Sequence, residues 1–486
     1  MNILFATAEV LPFSKAGGLA DVAGALPKAL EYFDVDTRII TPGYSRISWD
    51  NYSLRDEMEF SVPVDGVDKP AKIVSTLLPD SNNVRVYFVL NEQYFEREGI
   101  YTDSTGRGFQ DDDERFIFFM QSILEWVRRE KWKPDILHCN DHHTGLLPAY
   151  VHDLYNDESS FESLKTLFTI HNMGYQGVYP GKVIRKAGFP SGYADKNPEF
   201  RHDGGVNFMK VALLRANKIN TVSPTYAEEI MSSPEFGYGL EEIVQHRKDD
   251  VSGILNGADY SEWSPETDEY IPYNFSQKDI SGKAKNRDEL LREFRLMAER
   301  STPVIGMISR LVEQKGFDLM DDTLDDLLSR DVHLVILGTG ETRYHRLLEE
   351  AKEDYPEKIG LEFAYDNPLA HLIEAGSDMF LMPSKYEPCG LNQMYSLKYG
   401  TIPIVHATGG LADTIRDFDP DSKQGNGFSF REYTPEALLD AVDRAIDTFR
   451  NKARWKFLRD NAMRSDFSWE VSARKYLELY QNILAS

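Results

Sequence analysis

Lys15-Ala16-Gly17-Gly18-Leu19 sets a cation and two glycines where one pattern gives way to another. Before it, Ile3–Ala8 is a short apolar run of the kind that makes a buried parallel strand. After it, apolar residues recur at helical spacing from Leu19 to Leu30. Gly17 and Gly18 lack a Cβ, so a ligand can reach the backbone N–H groups. A helix N-terminus adds partial positive charge, and Lys15 adds a full one. The stretch is either a phosphate site or an ordinary strand-to-helix turn. It is neither G-x-G-x-x-G nor a loop ending in G-K-[ST]. Ser309-Arg310-Leu311-Val312-Glu313-Gln314-Lys315-Gly316 repeats the logic after another apolar run. Two cations beside a helix start suit a pyrophosphate; the other reading is a pair of solvated surface charges.

A third stretch, Glu387-Pro388-Cys389-Gly390-Leu391, reads as a tight turn opening a helix over 391–398. Glu387 at its mouth could accept from a ligand hydroxyl or simply cap the helix. Thr408-Gly409-Gly410-Leu411 is a further glycine turn at a helix start. In the first half, Asn140-Asp141-His142-His143 and His171-Asn172 each follow a strand-like run. Three histidines and an aspartate raise the question of a metal, but no H-E-x-x-H and no His-x-x-x-His helix is present. Asp417, Asp419 and Asp421 alternate as in a calcium loop. Ser422 and Phe428, however, stand where that loop needs glycine and glutamate. No metal and no cofactor are expected.

The elements that must position these residues alternate. Strands are expected at Thr37–Thr41, Val84–Leu90, Ile136–Cys139, Thr166–Ile170, Ile219–Val222, Pro303–Ser309, His333–Leu337 and Met379–Met382. Helices are expected at Glu114–Arg129, Val206–Ala216, Phe317–Leu328 and Pro435–Phe449, with a β-hairpin over 58–78. This is an α/β pattern with parallel sheets. A turn-rich break between Val251 and Phe275 reads as a connection between two domains, and 486 residues are too many for one ordinary core. Acidic side chains outnumber basic ones, 79 to 54, for a formal charge of −25. Such a surface disfavours nucleic acid and anionic membrane as partners, and an anionic substrate would need local cations. Cys139 and Cys389 alone argue for a reducing compartment, here taken as cytoplasmic. Met1-Asn2 leads straight into a strand, without a visible leader, and no apolar run has membrane-spanning length.

Taken together, Lys15–Leu19, His171-Asn172, Ser309-Arg310 with Lys315-Gly316, Glu387–Leu391 and Thr408–Leu411 resemble the bacterial glycogen synthase and plant starch synthase family. The resemblance runs from Met1 to the C-terminus. It implies a GT-B fold, two Rossmann-like domains with parallel sheets facing across a deep cleft. Residues 1–252 would form the acceptor-side domain and 253–468 the nucleotide-sugar domain. The last segment, 469–486, would cross back as a helix onto the first. The implied reaction moves glucose from ADP-glucose to the non-reducing end of an α-1,4-glucan, with retention and without metal. By the same resemblance, Lys15, Gly17 and Gly18 would meet the donor phosphates, and Arg310 and Lys315 would hold the pyrophosphate. Glu387 would bind the glucosyl hydroxyls. His171 and Asn172 would face the same sugar, and Asp141 would lie near the reaction centre. Asn256 and Tyr365 would line the donor site, Tyr365 beside the base. Cys389, Gly390 and Leu391 would offer backbone N–H groups to the phosphates.

The sequence departs from related transferases at two points. Tyr395 stands where many retaining relatives carry a second glutamate, as is usual in glycogen synthases, and His142 stands where many carry tryptophan. No convincing nucleophile is legible for the far face of the sugar, which favours a front-face route over a double displacement. The alternatives are a UDP-glucose-using glucan synthase, another retaining GT-B transferase, and a non-catalytic glucan-binding regulator. A nicotinamide dehydrogenase would need the missing glycine fingerprint.

Overall fold

The computed structural model describes residues 1–190, 192–202, 204–297 and 299–485, with the backbone alone at 194 and 195. The chain forms two units. The first comprises Met1–Val222, Ala227–Gly257 and the segment from Trp469 onward. The second comprises Ser223–Tyr226 and Ala258–Ser468.

A nine-stranded sheet organises the first unit. From one edge its order is Val251–Gly253, Lys218–Thr221, Lys165–Ile170, Ile136–Asn140, Asn2–Ala6, Asp36–Pro42, Arg85–Leu90, Val67–Leu77, Arg55–Val64. The strands through Arg85–Leu90 run parallel, and the last two form an antiparallel hairpin on that edge. Ile3, Leu4, Phe5 and Ala6 are fully buried, which explains their apolar run: a central parallel strand is covered on both faces. The second unit has a six-stranded sheet, all parallel. Its order is Ile359–Glu362, His333–Leu337, Val304–Ile308, Met379–Met382, Ile402–His406, Phe428–Phe430. In both sheets the loops of interest leave the carboxyl ends of strands, where open α/β sheets hold ligands.

Some elements differ from the sequence expectation. Val206 and Asn207 pair in a small three-stranded sheet, and the helix runs only Phe208–Arg215. The Asn207 side chain caps it by accepting from the Lys210 N–H at 2.9 Å. Val251–Gly253 is an edge strand, so the chain changes unit after Gly257 rather than after Ser252. The helix Trp469–Ala485 belongs to the first unit and buries Trp469, Tyr476, Tyr480 and Ile483 in its core. Each such apolar burial contributes roughly 1.5–3 kcal/mol. Among the described residues no helix is long and apolar enough to cross a membrane.

Candidate active site

In the first unit the loop after Asn2–Ala6 is organised by a residue that the sequence reading passed over. Glu9 is 3% exposed, and its Oε2 accepts from the N–H groups of Ala16 (2.5 Å) and Gly17 (2.9 Å). Its Oε1 accepts from the Tyr101 hydroxyl at 2.9 Å. The Gly17 amide, expected to meet a phosphate, is therefore already committed to a carboxylate. Gly18 begins the helix Gly18–Glu31, and a Cβ there would meet nothing within 4 Å. The Lys15 ammonium lies 2.7 Å from Asp21 Oδ1, a half-exposed pair at the same helix start. An acid immediately after a buried strand and before a glycine loop was the available signal for Glu9. Tyr101, 92 positions away, left none.

The other strand ends of this unit bring Asp141 and His171 together. Asp141 sits at φ 54°, and its Oδ1 accepts from the His171 N–H at 2.8 Å. Burial pushes its carboxyl up to about 7; the His171 and Asn172 N–H groups oppose this, and the charge of Glu9 adds to it. Asn140 donates its side-chain N–H to the Ala6 and His138 carbonyls, so its Oδ1 accepts from His171 Nε2 at 2.9 Å. That fixes His171 as the Nε2–H tautomer with Nδ1 as acceptor. Burial lowers the imidazole to about 3, so the ring is neutral. Asn172 Oδ1 accepts from the Gly174 N–H at 2.9 Å and shapes the turn that follows. Asn256 is 7% exposed, and its Oδ1 has no partner among the described residues. A buried acceptor in that state calls for a donor from outside the chain.

The second unit gathers Lys315, Glu387 and the Gly390-Leu391 turn. Lys315 Nζ lies 2.5 Å from Glu387 Oε2, which also accepts from Ser384 Oγ at 3.1 Å. Two glycine contacts hold this pair in place. Gly316, at φ +82°, lets the Lys315 loop pass Pro383, whose carbonyl a Cβ would meet at 2.1 Å. Gly409, at φ +44°, lies against the Glu387 backbone, where a Cβ would be 2.0 Å from the carbonyl oxygen. The Gly410 N–H donates to that carbonyl at 3.1 Å. The Thr408–Leu411 turn thus positions Glu387.

Cys389 is buried, and its carbonyl and that of Gly390 accept from the Gln393 side chain at 3.0 and 3.1 Å. The N–H groups of Gly390 and Leu391 enter no hydrogen bond among the described residues. They sit at the start of the helix Asn392–Tyr399. Arg310 is exposed, holds only Gln314 Oε1 at 3.3 Å and makes no ion pair among the described residues. Tyr365 is 84% exposed in the loop before the helix Asn367–Gly376. Tyr395 lies in a buried stack: its ring is 4.2 Å from Trp263, which stacks at 3.7 Å on His371. An aromatic sandwich therefore occupies the position of the second glutamate. Among the described residues, no three His, Cys, Asp or Glu side chains gather as metal ligands would.

The chain matches known proteins over its whole length. The family description "starch synthase catalytic domain" fits residues 2–246, and "glycosyl transferases group 1" fits 292–456. Glycogen synthase from Koribacter versatilis is 44% identical over 99% of this chain and 98% of its own. That from Exiguobacterium sibiricum is 44% identical over 100% of both, and that from Thermosipho africanus 43% over 100% and 99%. Among solved structures, the catalytic domain of starch synthase IV from Arabidopsis thaliana, bound to ADP and acarbose, superposes with a TM-score of 0.89. It is 33% identical and covers 100% of this chain and 99% of its own. A sucrose-phosphate synthase from Thermosynechococcus elongatus, 15% identical with a TM-score of 0.59, shares the fold. With its two parallel-sheet units of GT-B type, the chain belongs to the glycogen synthase and starch synthase family of glycosyltransferases.

Proposed function

We propose that this glycosyltransferase moves glucose from ADP-glucose to the non-reducing end of an α-1,4-glucan with retention of configuration. The carrying observation is the second unit's constellation: Lys315 held on Glu387 and, among the described residues, Arg310 without a counter-ion and two unbonded amides at a helix start. Breaking the bond between the anomeric carbon and the β-phosphate oxygen leaves the electron pair on the departing ADP. Lys315 has three N–H donors, so it can keep Glu387 and still bind a phosphate oxygen. Arg310 and the amides of Gly390 and Leu391 add fixed positive potential that needs no reorganisation as the charge develops. Glu387 would accept from the glucosyl hydroxyls and favour the cationic sugar centre. From the first unit, Lys15 and Gly18 would contribute to phosphate binding. Asn256 would turn its unpaired oxygen to the donor, and Tyr365 would lie by the base. His171 and Asn172 would face the sugar, with His171 Nδ1 accepting a hydrogen bond from a sugar hydroxyl. ADP-glucose is favoured over UDP-glucose by the ADP in the Arabidopsis structure.

Retention proceeds in this reading by the front face. The acceptor hydroxyl oxygen bonds to the anomeric carbon on the side the phosphate leaves, and its proton passes to the phosphate oxygen. Two features support this. Glu9 already accepts three hydrogen bonds, and Asp141 is pinned by backbone amides with its proton affinity raised. Neither is a free nucleophile. The test is nucleotide diphosphate release on glycogen with ADP-glucose and UDP-glucose side by side, with NMR of the new linkage. Release of ADP with an α-1,4 product is expected. A faster reaction with UDP-glucose would overturn the donor assignment, a β-linkage the stereochemistry, and a trapped glucosyl ester the front-face route.

A further inference from the structure

Away from these loops, the second unit contains a cavity of about 380 Å³ whose wall is dominated by cations. Volumes of this order are typical of small-molecule sites. Lys283, Arg287, Arg300, Lys452, Lys456 and Arg459 line it, with Asp378 as the one carboxylate of the wall. In a chain of net charge −25, six basic residues around one hollow run against the overall balance.

Several of these charges are held by the fold. Lys283 is 7% exposed and donates to the Thr401 hydroxyl at 2.6 Å and to the Ala375 carbonyl at 3.2 Å. Arg287 pairs with Asp378 at 3.1 Å. Arg300 and Lys456 pair with Asp288 and Asp460, which stand outside the wall. Two are not matched. Lys452 lies over the Phe449 ring at 4.4 Å and makes no ion pair among the described residues. The half-buried Arg459 guanidinium has neither a hydrogen bond nor an ion pair among them. Desolvation lowers both Lys283 and Arg459; Asp378 raises Lys283 and Arg459 lowers it, leaving it at about 7, while Asp460 and Asp378 act to raise Arg459. The wall is thus short of negative charge.

The backbone adds to this potential. The first turns of two helices, Ser281–Glu293 and Lys452–Arg464, border the cavity. One N–H of each is capped, by Asp279 and by Asn451, and helix N-termini carry partial positive charge. Trp455 and Phe449 supply an apolar flank. Cations on one side and aromatic surface on the other suit an anion with a small organic body.

We propose that this cavity is a binding site for a small phosphate-bearing anion, separate from the donor-binding loops, with Arg459 and Lys452 as its principal ligands. The test is titration calorimetry of the full chain with inorganic phosphate, on the wild type and on Arg459→Gln, Lys452→Gln and Arg310→Ala/Lys315→Ala variants. Binding is expected to weaken by about tenfold or more in Arg459→Gln and Lys452→Gln and to persist in Arg310→Ala/Lys315→Ala. Lys452 is exposed, so its variant reports on binding even if the Arg459 variant melts early. The reverse pattern would assign the phosphate to the donor loops and overturn the proposal. So would the absence of binding up to roughly 10 mM, or equal competition by chloride at the same ionic strength.

Discussion

Lys315 Nζ and Glu387 Oε2 are 2.5 Å apart, with only 19% and 8% of their side chains exposed. A cation and a carboxylate so placed are paired before any substrate arrives; Ser384 holds the carboxylate and the Gly409-Gly410 turn holds the Glu387 backbone. The pair is therefore preorganised, the condition under which fixed charges act most strongly on a transition state.

Removing the positive side of this arrangement should abolish most of the turnover. Lys315→Ala and Arg310→Ala are each expected to lower kcat by about 10²–10³. Asp141→Asn should cost less than about tenfold, because it is pinned and assigned no bond-making role. ADP release from ADP-glucose, measured at saturating glycogen, decides the matter. Variants at 310 and 315 that kept near-wild-type kcat would remove the basis of the mechanism.

The glycines separate positioning from ligand contact. At Gly409 a Cβ would lie 2.0 Å from the Glu387 carbonyl, so Gly409→Ala must displace the Glu387 loop. A shift of about 1 Å there is expected to cost about 10²-fold in kcat while the circular dichroism spectrum survives. At Gly18 a Cβ meets nothing, so Gly18→Ala should leave the melting temperature unchanged. If a phosphate approaches that loop, KM for the donor still rises. An unchanged KM would reduce the stretch to an ordinary strand-to-helix turn.

Legibility in the sequence followed the range of the interactions. His333–Leu337 and Met379–Met382 were readable to the residue because central parallel strands are apolar on both faces. The pairing of Lys315 with Glu387 spans 72 positions and has no local signature. Only the resemblance put the two in one site. Thr408–Leu411 read as a further glycine turn at a helix start, and its glycines also serve a backbone contact with Glu387 that no spacing rule encodes. Glu9 was hidden for a similar reason. Its partners Ala16, Gly17 and Tyr101 give hydrogen bonds through groups that leave no pattern in the chain. Strand Ile402–His406 escaped notice because Pro403 interrupts it and reads as a breaker.

Asp141 and His171 should shape the pH dependence of stability in opposite senses. The Asp141 carboxyl, raised to about 7 by burial, holds its proton more tightly folded than unfolded. Unfolded aspartate ionises near 4, so this residue makes stability fall as pH rises from about 4 to about 7. His171, lowered to about 3, stays neutral in the fold while the unfolded imidazole gains a proton below about 6.5. It makes stability fall as pH drops from about 6.5 towards 3. Between about pH 4 and 6.5 the two slopes oppose each other. Relative to the wild type, the urea midpoint of Asp141→Asn should rise with pH across that window, and that of His171→Gln should fall. Parallel profiles for all three proteins would contradict the assigned protonation states.

The C-terminal helix offers a test of stability alone. Tyr480 accepts or donates at 2.8 Å with His138 Nδ1, and His138 Nε2 meets Thr169 Oγ1 at 2.7 Å. His138 is fully buried in a central strand, and burial holds its ring neutral. Tyr480→Phe keeps the ring and its buried area but leaves that imidazole nitrogen without a partner, at a cost of about 1–3 kcal/mol. Leu484, 41% exposed on the same helix, is the control, and its replacement by alanine should change stability by less than about 0.5 kcal/mol. Urea unfolding of both variants measures the difference. Equal, small effects would mean that the helix is held by apolar contact alone and that the bond to His138 contributes nothing.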